Sequence, residues 1–164
     1  MKYVASADMM EENSPNIRIM PPLIFFGCLF IGTGVELIVP WNFSLLSTLT
    51  GLAVGALISL AGFIFMMRGH NLFKSLGVTV RPVKRASRLV AEGTFRYSRN
   101  PMYVGMIAIV AGAAIALDSI WMGMATAILA LYLALYVIPK EEAYLEREFG
   151  EEYRAYCRSV RRWL

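Results

Sequence analysis

Apolar residues gather into four long stretches, near residues 21–40, 45–67, 102–117 and 119–138, separated by short polar breaks and one long polar segment over 68–100. A membrane-spanning helix needs about 17–25 such residues, so the pattern predicts four spans. The second and fourth stretches meet that length cleanly. The first is interrupted only by Glu36, and the third borrows flanking residues such as Asn100 and Pro101 to reach it. Pro40 and Pro139 are expected to end the first and fourth spans, because proline cannot donate the hydrogen bond that continues a helix.

Beyond Pro139, Leu145, Phe149, Tyr153, Tyr156, Val160 and Trp163 recur every three or four residues, drawing an apolar stripe along an amphipathic helix. Gly150 lies within that stripe and costs about 1 kcal/mol relative to alanine in a regular helix, so two helical pieces are expected. The fold class is therefore an all-α integral membrane domain over residues 1–164, with four transmembrane helices and a C-terminal amphipathic helix in the tail 139–164.

Composition sharpens this picture. The 164 residues are 57% hydrophobic and 17% charged, whereas soluble domains carry about 25% charged residues. A chain of this length is expected to form one domain, whose chemistry uses the membrane helices themselves. The N-terminal stretch has acidic residues where a cleavable targeting segment needs an apolar core after its basic start, so no such segment is expected.

The net charge of +4 comes from 16 Lys and Arg against 12 Asp and Glu. Its distribution follows the predicted topology: Lys2 and Arg18 precede the first span, the 68–100 segment is strongly basic, and the remaining cations begin at Lys140. The connections 40–44 and 118–119 contain no Lys or Arg. By the positive-inside rule both termini and the long loop face the cytoplasm. Topology thus accounts for the basic balance without nucleic acid, whose binding requires a continuous cationic face. Cys28 in an apolar run and Cys157 in a charged tail suggest no disulfide, and the thiols suggest neither metal nor redox work.

Small residues also recur at helical spacing, with Gly51, Gly55 and Ser59 on the second span and Ala108, Gly112 and Ala116 on the third. Such faces allow close helix packing in lipid, within one chain or between chains.

Three places could carry chemistry. Glu36 is the ionisable residue within a predicted span and would be central to a small proton-coupled carrier, although its closeness to Pro40 also lets it reach the far interface. The segment Gly93-Thr-Phe-Arg-Tyr-Ser-Arg-Asn-Pro-Met-Tyr103 brings Arg96, Tyr97, Arg99 and Tyr103 to the start of the third span, where interfacial anchoring is the simpler reading. Glu141 and Glu142 follow the fourth span directly. Adjacent helical positions point about 100° apart, so the two carboxylates serve different contacts. Acidic residues at a helix start also have a structural role, through the helix dipole.

Together, Arg-Asn-Pro-Met-Tyr at 99–103, a membrane hairpin, Glu141-Glu142, and then Phe149, Gly150 and Tyr153 resemble the isoprenylcysteine carboxyl methyltransferase and phospholipid methyltransferase group of membrane enzymes. That group's pattern is Arg-His-Pro-x-Tyr, two membrane helices and Glu-Glu, and the resemblance covers roughly residues 68–164, including LFKSLGVTVRP and LVAEG before the motif. Asn100 stands where the group has histidine, and Thr94 where proline often follows the glycine.

The resemblance implies S-adenosylmethionine as methyl donor, with S-adenosylhomocysteine as product, bound by Gly93, Tyr97, Arg99, Asn100, Tyr103, Glu141 and Glu142. Arg99, Asn100 and Glu142 are its implied catalytic residues, and its implied acceptor is apolar or lipid-like, with an isoprenylcysteine carboxylate as one candidate. In that frame Arg99 suits the methionyl carboxylate and a glutamate suits the ammonium or ribose hydroxyls. A carrier built on Glu36 and a non-catalytic accessory protein are the competing readings. A soluble nucleotide-binding α/β fold is unsupported, because Gly-x-Gly-x-x-Gly and strand-helix alternation are both missing.

Overall fold

The computed structural model describes residues 15–42, 46, 48–77 and 88–164. The first part of the expected N-terminal cytoplasmic segment, part of the first connection and the middle of the 68–100 segment, including part of LFKSLGVTVRP, lie outside the described residues. The elements are α1 (Pro21–Ile38), α2 (Thr48–Ser75), a 3-10 turn (Gly93–Arg96), α3 (Pro101–Ala116), α4 (Ile120–Tyr132), a π-helical segment (Leu133–Val137), α5 (Ile138–Phe149) and α6 (Glu151–Ser159). Among the described residues there is no strand, only an isolated bridge between Asn42 and Ser119.

Three helical stretches, Pro21–Ile38, Thr48–Ser75 and the continuous run Ile120–Phe149, are long and apolar enough to cross a membrane, while α3 is a shorter apolar helix. Side chains such as Phe30 and Leu37 on α1, Leu49 and Leu57 on α2 and Leu135 in the π segment are exposed. Lipid is the environment in which such apolar surface is stable. The chain is thus a multi-pass membrane protein.

α2 packs along α3, α3 packs on α4, and α4 packs on α1. The α2–α3 seam is formed by the predicted small-residue faces. A Cβ at Gly55 would lie 2.3 Å from the Gly112 carbonyl oxygen, and one at Gly112 would lie 2.3 Å from Ser59 Oγ. Gly62 and Gly105 extend the same close approach. Ser59 Oγ donates to the Ile109 carbonyl at 3.1 Å across the seam. The two small-residue faces therefore meet within one chain. The principal core lies on the other side of α3, where Phe25, Val110, Met122, Leu129, Leu133 and Ile138 are buried together.

Pro40 follows the end of α1 as expected. Pro139 does not end the fourth span: the helix runs on to Phe149. Proline lacks an amide and its ring crowds the carbonyl four residues earlier. The preceding turn widens instead, with the Ile138 amide bonded to the Leu133 carbonyl in a π-type step. The second span also runs further than its apolar stretch, to Ser75.

Opposite the motif residues, a clasp joins α1 to the α3–α4 turn. The Ile120 amide donates to the Trp41 carbonyl at 2.9 Å, and Trp121 Nε1 to the Val39 carbonyl at 2.7 Å. Ser119, which is buried, caps α4 by accepting from the Met122 amide at 3.2 Å. Its hydroxyl donates to Glu36 Oε2 at 2.5 Å. Glu36 therefore reaches the α3–α4 turn, one of the two cation-free connections.

Candidate functional site

Two local structures build the other end of the molecule. The chain enters it through the 3-10 turn, where Gly93 has φ +60°, a conformation in which side chains are strained. A Cβ there would also lie 2.9 Å from Leu72 Cδ2. Phe95 stacks on Phe73 with ring centroids 4.8 Å apart, fixing the turn against α2. Pro101 then opens α3, a position where its missing amide costs nothing.

The tail supplies the second part. α5 carries Glu141 and Glu142, and Gly150, at φ +52°, separates α5 from α6. The expected break at Gly150 is present. Tyr153 and Tyr156 are buried on α6, and the Tyr156 hydroxyl donates to the Phe95 carbonyl at 2.7 Å, locking α6 onto the 3-10 turn. Burial raises both phenol pKa values, and for Tyr153 a hydrogen bond with Cys157 adds to the rise. Both remain neutral donors near pH 7.

Between these parts, the two sequence motifs meet. Tyr103 donates to Glu141 Oε1 at 2.6 Å. Arg99 Nη2 lies 3.2 Å from Glu142 Oε1, and these two side chains are only 15% and 18% exposed. Such a shielded pair is screened far less than a surface one. Arg99 Nη1 also donates to Cys157 Sγ. The neighbouring glutamates thus take different partners, as their 100° offset requires.

Arg162, which the sequence reading missed, grips Glu142 with two prongs, Nη2 to Oε2 at 2.5 Å and Nε to Oε1 at 3.1 Å. Val160 and Trp163 continue the apolar spacing of α6, but the helix ends at Ser159 and Val160 is extended. The chain turns back across the start of α3. Asn100 Nδ2 donates to the Arg162 carbonyl at 2.9 Å, and Ser98 Oγ accepts from the Asn100 amide at 3.0 Å.

The structure thus brings Arg99, Asn100, Tyr103, Glu141 and Glu142 into one assembly. Tyr97 stands apart at 70% exposure. Gly93 serves the path of the backbone. Lys140 also faces elsewhere, donating to the Asn16 carbonyl at 2.9 Å and lying 4.3 Å above the Tyr136 ring.

The donor set fits an amino-acid zwitterion such as the methionyl end of S-adenosylmethionine. Among the described residues, Arg99 Nε is buried without a hydrogen-bond partner, as is Thr94 Oγ1. A carboxylate accepts bidentate bonds from a guanidinium, and an ammonium donates to a carboxylate such as that of Glu142. A separate cavity of about 780 Å³, bordered by residues including Gly51, Ala114, Asp118 and Thr126, opens at the opposite end of α3 and holds none of these groups.

A Haemophilus influenzae protein described as uncharacterized is 43% identical over 51 residues, covering 28% of this chain and 81% of that protein. No solved structure matches. The family model described as phospholipid methyltransferase matches residues 50–152, a stretch that includes both motifs and the hairpin joining them. The chain therefore belongs to the phospholipid methyltransferase family, within the isoprenylcysteine carboxyl methyltransferase-like group of membrane methyltransferases.

Proposed function

We propose that this protein transfers a methyl group from S-adenosylmethionine to an apolar or lipid-like acceptor at the cytoplasmic face of a membrane. The observation that carries this reading is the shielded Arg99–Glu142 pair beside the Tyr103–Glu141 hydrogen bond. Family membership supports methyl transfer as the reaction class.

When bound, the cofactor supplies an electrophilic sulfonium methyl. Arg99 holds its carboxylate, Glu142 its ammonium, and Glu141, oriented by Tyr103, accepts from a ribose hydroxyl. Asn100 has no imidazole with which to act as a base. Its role is to hold the Arg162 carbonyl and so the path of the chain beside Arg99. Positioning is the main contribution of such residues to methyl transfer. An acceptor carboxylate is ionised at neutral pH and needs no base, whereas an ammonium acceptor must first lose its proton. Asn100 in place of histidine favours the former, and an isoprenylcysteine carboxylate is one such acceptor.

The topology that goes with this reading has four spans, with α3 as the short third, and with the termini and site cytoplasmic. The cation-free connections support it. Cysteine labels introduced at Ser87 and Ser159 are expected to react only from the cytoplasmic side; labelling of Ser87 from outside overturns the map. A carrier centred on Glu36 has less support, since Ser119 engages that carboxylate.

Titration calorimetry of the purified protein in detergent tests the function, with S-adenosylmethionine and NADPH as ligands. Binding of the first alone is expected. Arg99→Ala is expected to weaken it by about 1.5–3 kcal/mol, the worth of a charged hydrogen bond, with Arg99→Lys restoring only part because it lacks the fork. Failure of the parent to bind, or equal binding by a folded Arg99→Ala, overturns the proposal.

A further inference from the structure

The residues after α6 lie beyond the stretch matched by the family, yet they touch both halves of the site. The Arg161 carbonyl accepts from the Arg99 amide at 2.9 Å. The Arg162 carbonyl accepts from Asn100 Nδ2 at 2.9 Å, while the Arg162 guanidinium holds both oxygens of Glu142. Trp163 packs against the principal core, so the strap is anchored beyond the ion pair.

We infer that Arg162 is a positioning residue of this site, holding Glu142 and the backbone before α3 in place while an amino-acid zwitterion exchanges into the Arg99–Glu142 pair. The inference rests on the methyl-donor reading and names a residue that its motifs do not contain.

The argument follows from what happens to Glu142. Its Oε1 serves Arg99 and Arg162 together. When a ligand carboxylate engages Arg99, Glu142 loses part of that partnership, and a shielded carboxylate left unpaired is costly. Arg162 keeps it paired through the exchange. The fork fixes the plane of the carboxylate, which a single point charge does not.

The full-length protein in detergent provides the test, with S-adenosylhomocysteine as probe and hydrogen exchange resolved at the Arg99 amide. Arg162→Ala is expected to weaken binding at least tenfold, and Arg162→Lys to recover part of that loss by keeping charge without the fork. Without ligand, exchange at the Arg99 amide is expected to quicken in Arg162→Ala. If the alanine variant does not fold by its melting curve, Arg162→Gln replaces it. Unchanged or tighter binding by the folded variant overturns the inference. If the parent binds no S-adenosylhomocysteine, the methyl-donor reading fails by itself. The exchange measurement then still decides the strap's role, and an unaltered Arg99 amide overturns it.

Discussion

At the scale of single residues, Tyr156 joins the tail to the 3-10 turn through a hydroxyl that must stay protonated to donate to the Phe95 carbonyl. Burial raises its pKa above the ordinary phenol value, which is about 10. A group whose folded pKa is raised contributes stability that is complete below its unfolded pKa and is lost as pH climbs towards the folded value. The melting temperature is therefore expected to fall as pH rises beyond about 10. Tyr156→Phe should show a shallower alkaline fall from a lower starting stability; an alkaline profile identical to the parent's sinks this assignment. Arg99 and Glu142 could be singled out from the sequence because charged residues beside apolar stretches are conspicuous. Arg162 could not: it is one of several cations in a polar tail, and only the end of α6 at Ser159 turns it towards Glu142.

At the scale of elements, hydrophobic patterning anticipated the helices well, because apolar run length is the physical condition for a span. It missed what polar backbone chemistry decides. The π segment before Pro139 keeps one helix continuous where a proline predicts an end, and the added residue in the turn resets the faces on which Glu141 and Glu142 emerge. α2 likewise outruns its apolar stretch, since a helix beyond the membrane surface no longer needs apolar side chains. The small-residue pattern on α2 and α3 could be read, but not whether it joined two chains or one. Its location in an internal seam yields a prediction. At Gly112 a Cβ would meet Ser59 Oγ at 2.3 Å and the Gly55 carbonyl oxygen at 2.5 Å, and a backbone atom cannot rotate away as a side chain does. Gly112→Ala is expected to destabilise the protein by about 1–3 kcal/mol through overpacking. Gly34, where a Cβ meets nothing within 4 Å, supplies the control: Gly34→Ala should be neutral or slightly stabilising in the same denaturation assay.

At the scale of the whole molecule, α3 separates two polar assemblies. Asn100 and Arg99 precede its first residue, and Ser119 follows its end. Its 16 residues place those assemblies about 24 Å apart at 1.5 Å per residue. The clasp around Glu36 and Ser119 shares none of the side-chain partners of Arg99 and Glu142. Mutations at such distant sites add within about 0.5 kcal/mol. Ser119→Ala removes the α4 cap and the donor to Glu36, and loss of a cap alone costs about 0.5–2 kcal/mol in stability. That variant should melt earlier yet bind S-adenosylhomocysteine with the parent's affinity, and Ser119→Ala with Arg99→Ala should lose only what Arg99→Ala loses in binding. Titrating the single and double variants below the melting range of the weakest one measures the coupling directly. A binding loss beyond about 0.5 kcal/mol in Ser119→Ala exceeds the additivity limit; the α3–α4 turn would then be mechanically linked to the site through the length of α3, and the division of the molecule into a structural end and a binding end would be wrong.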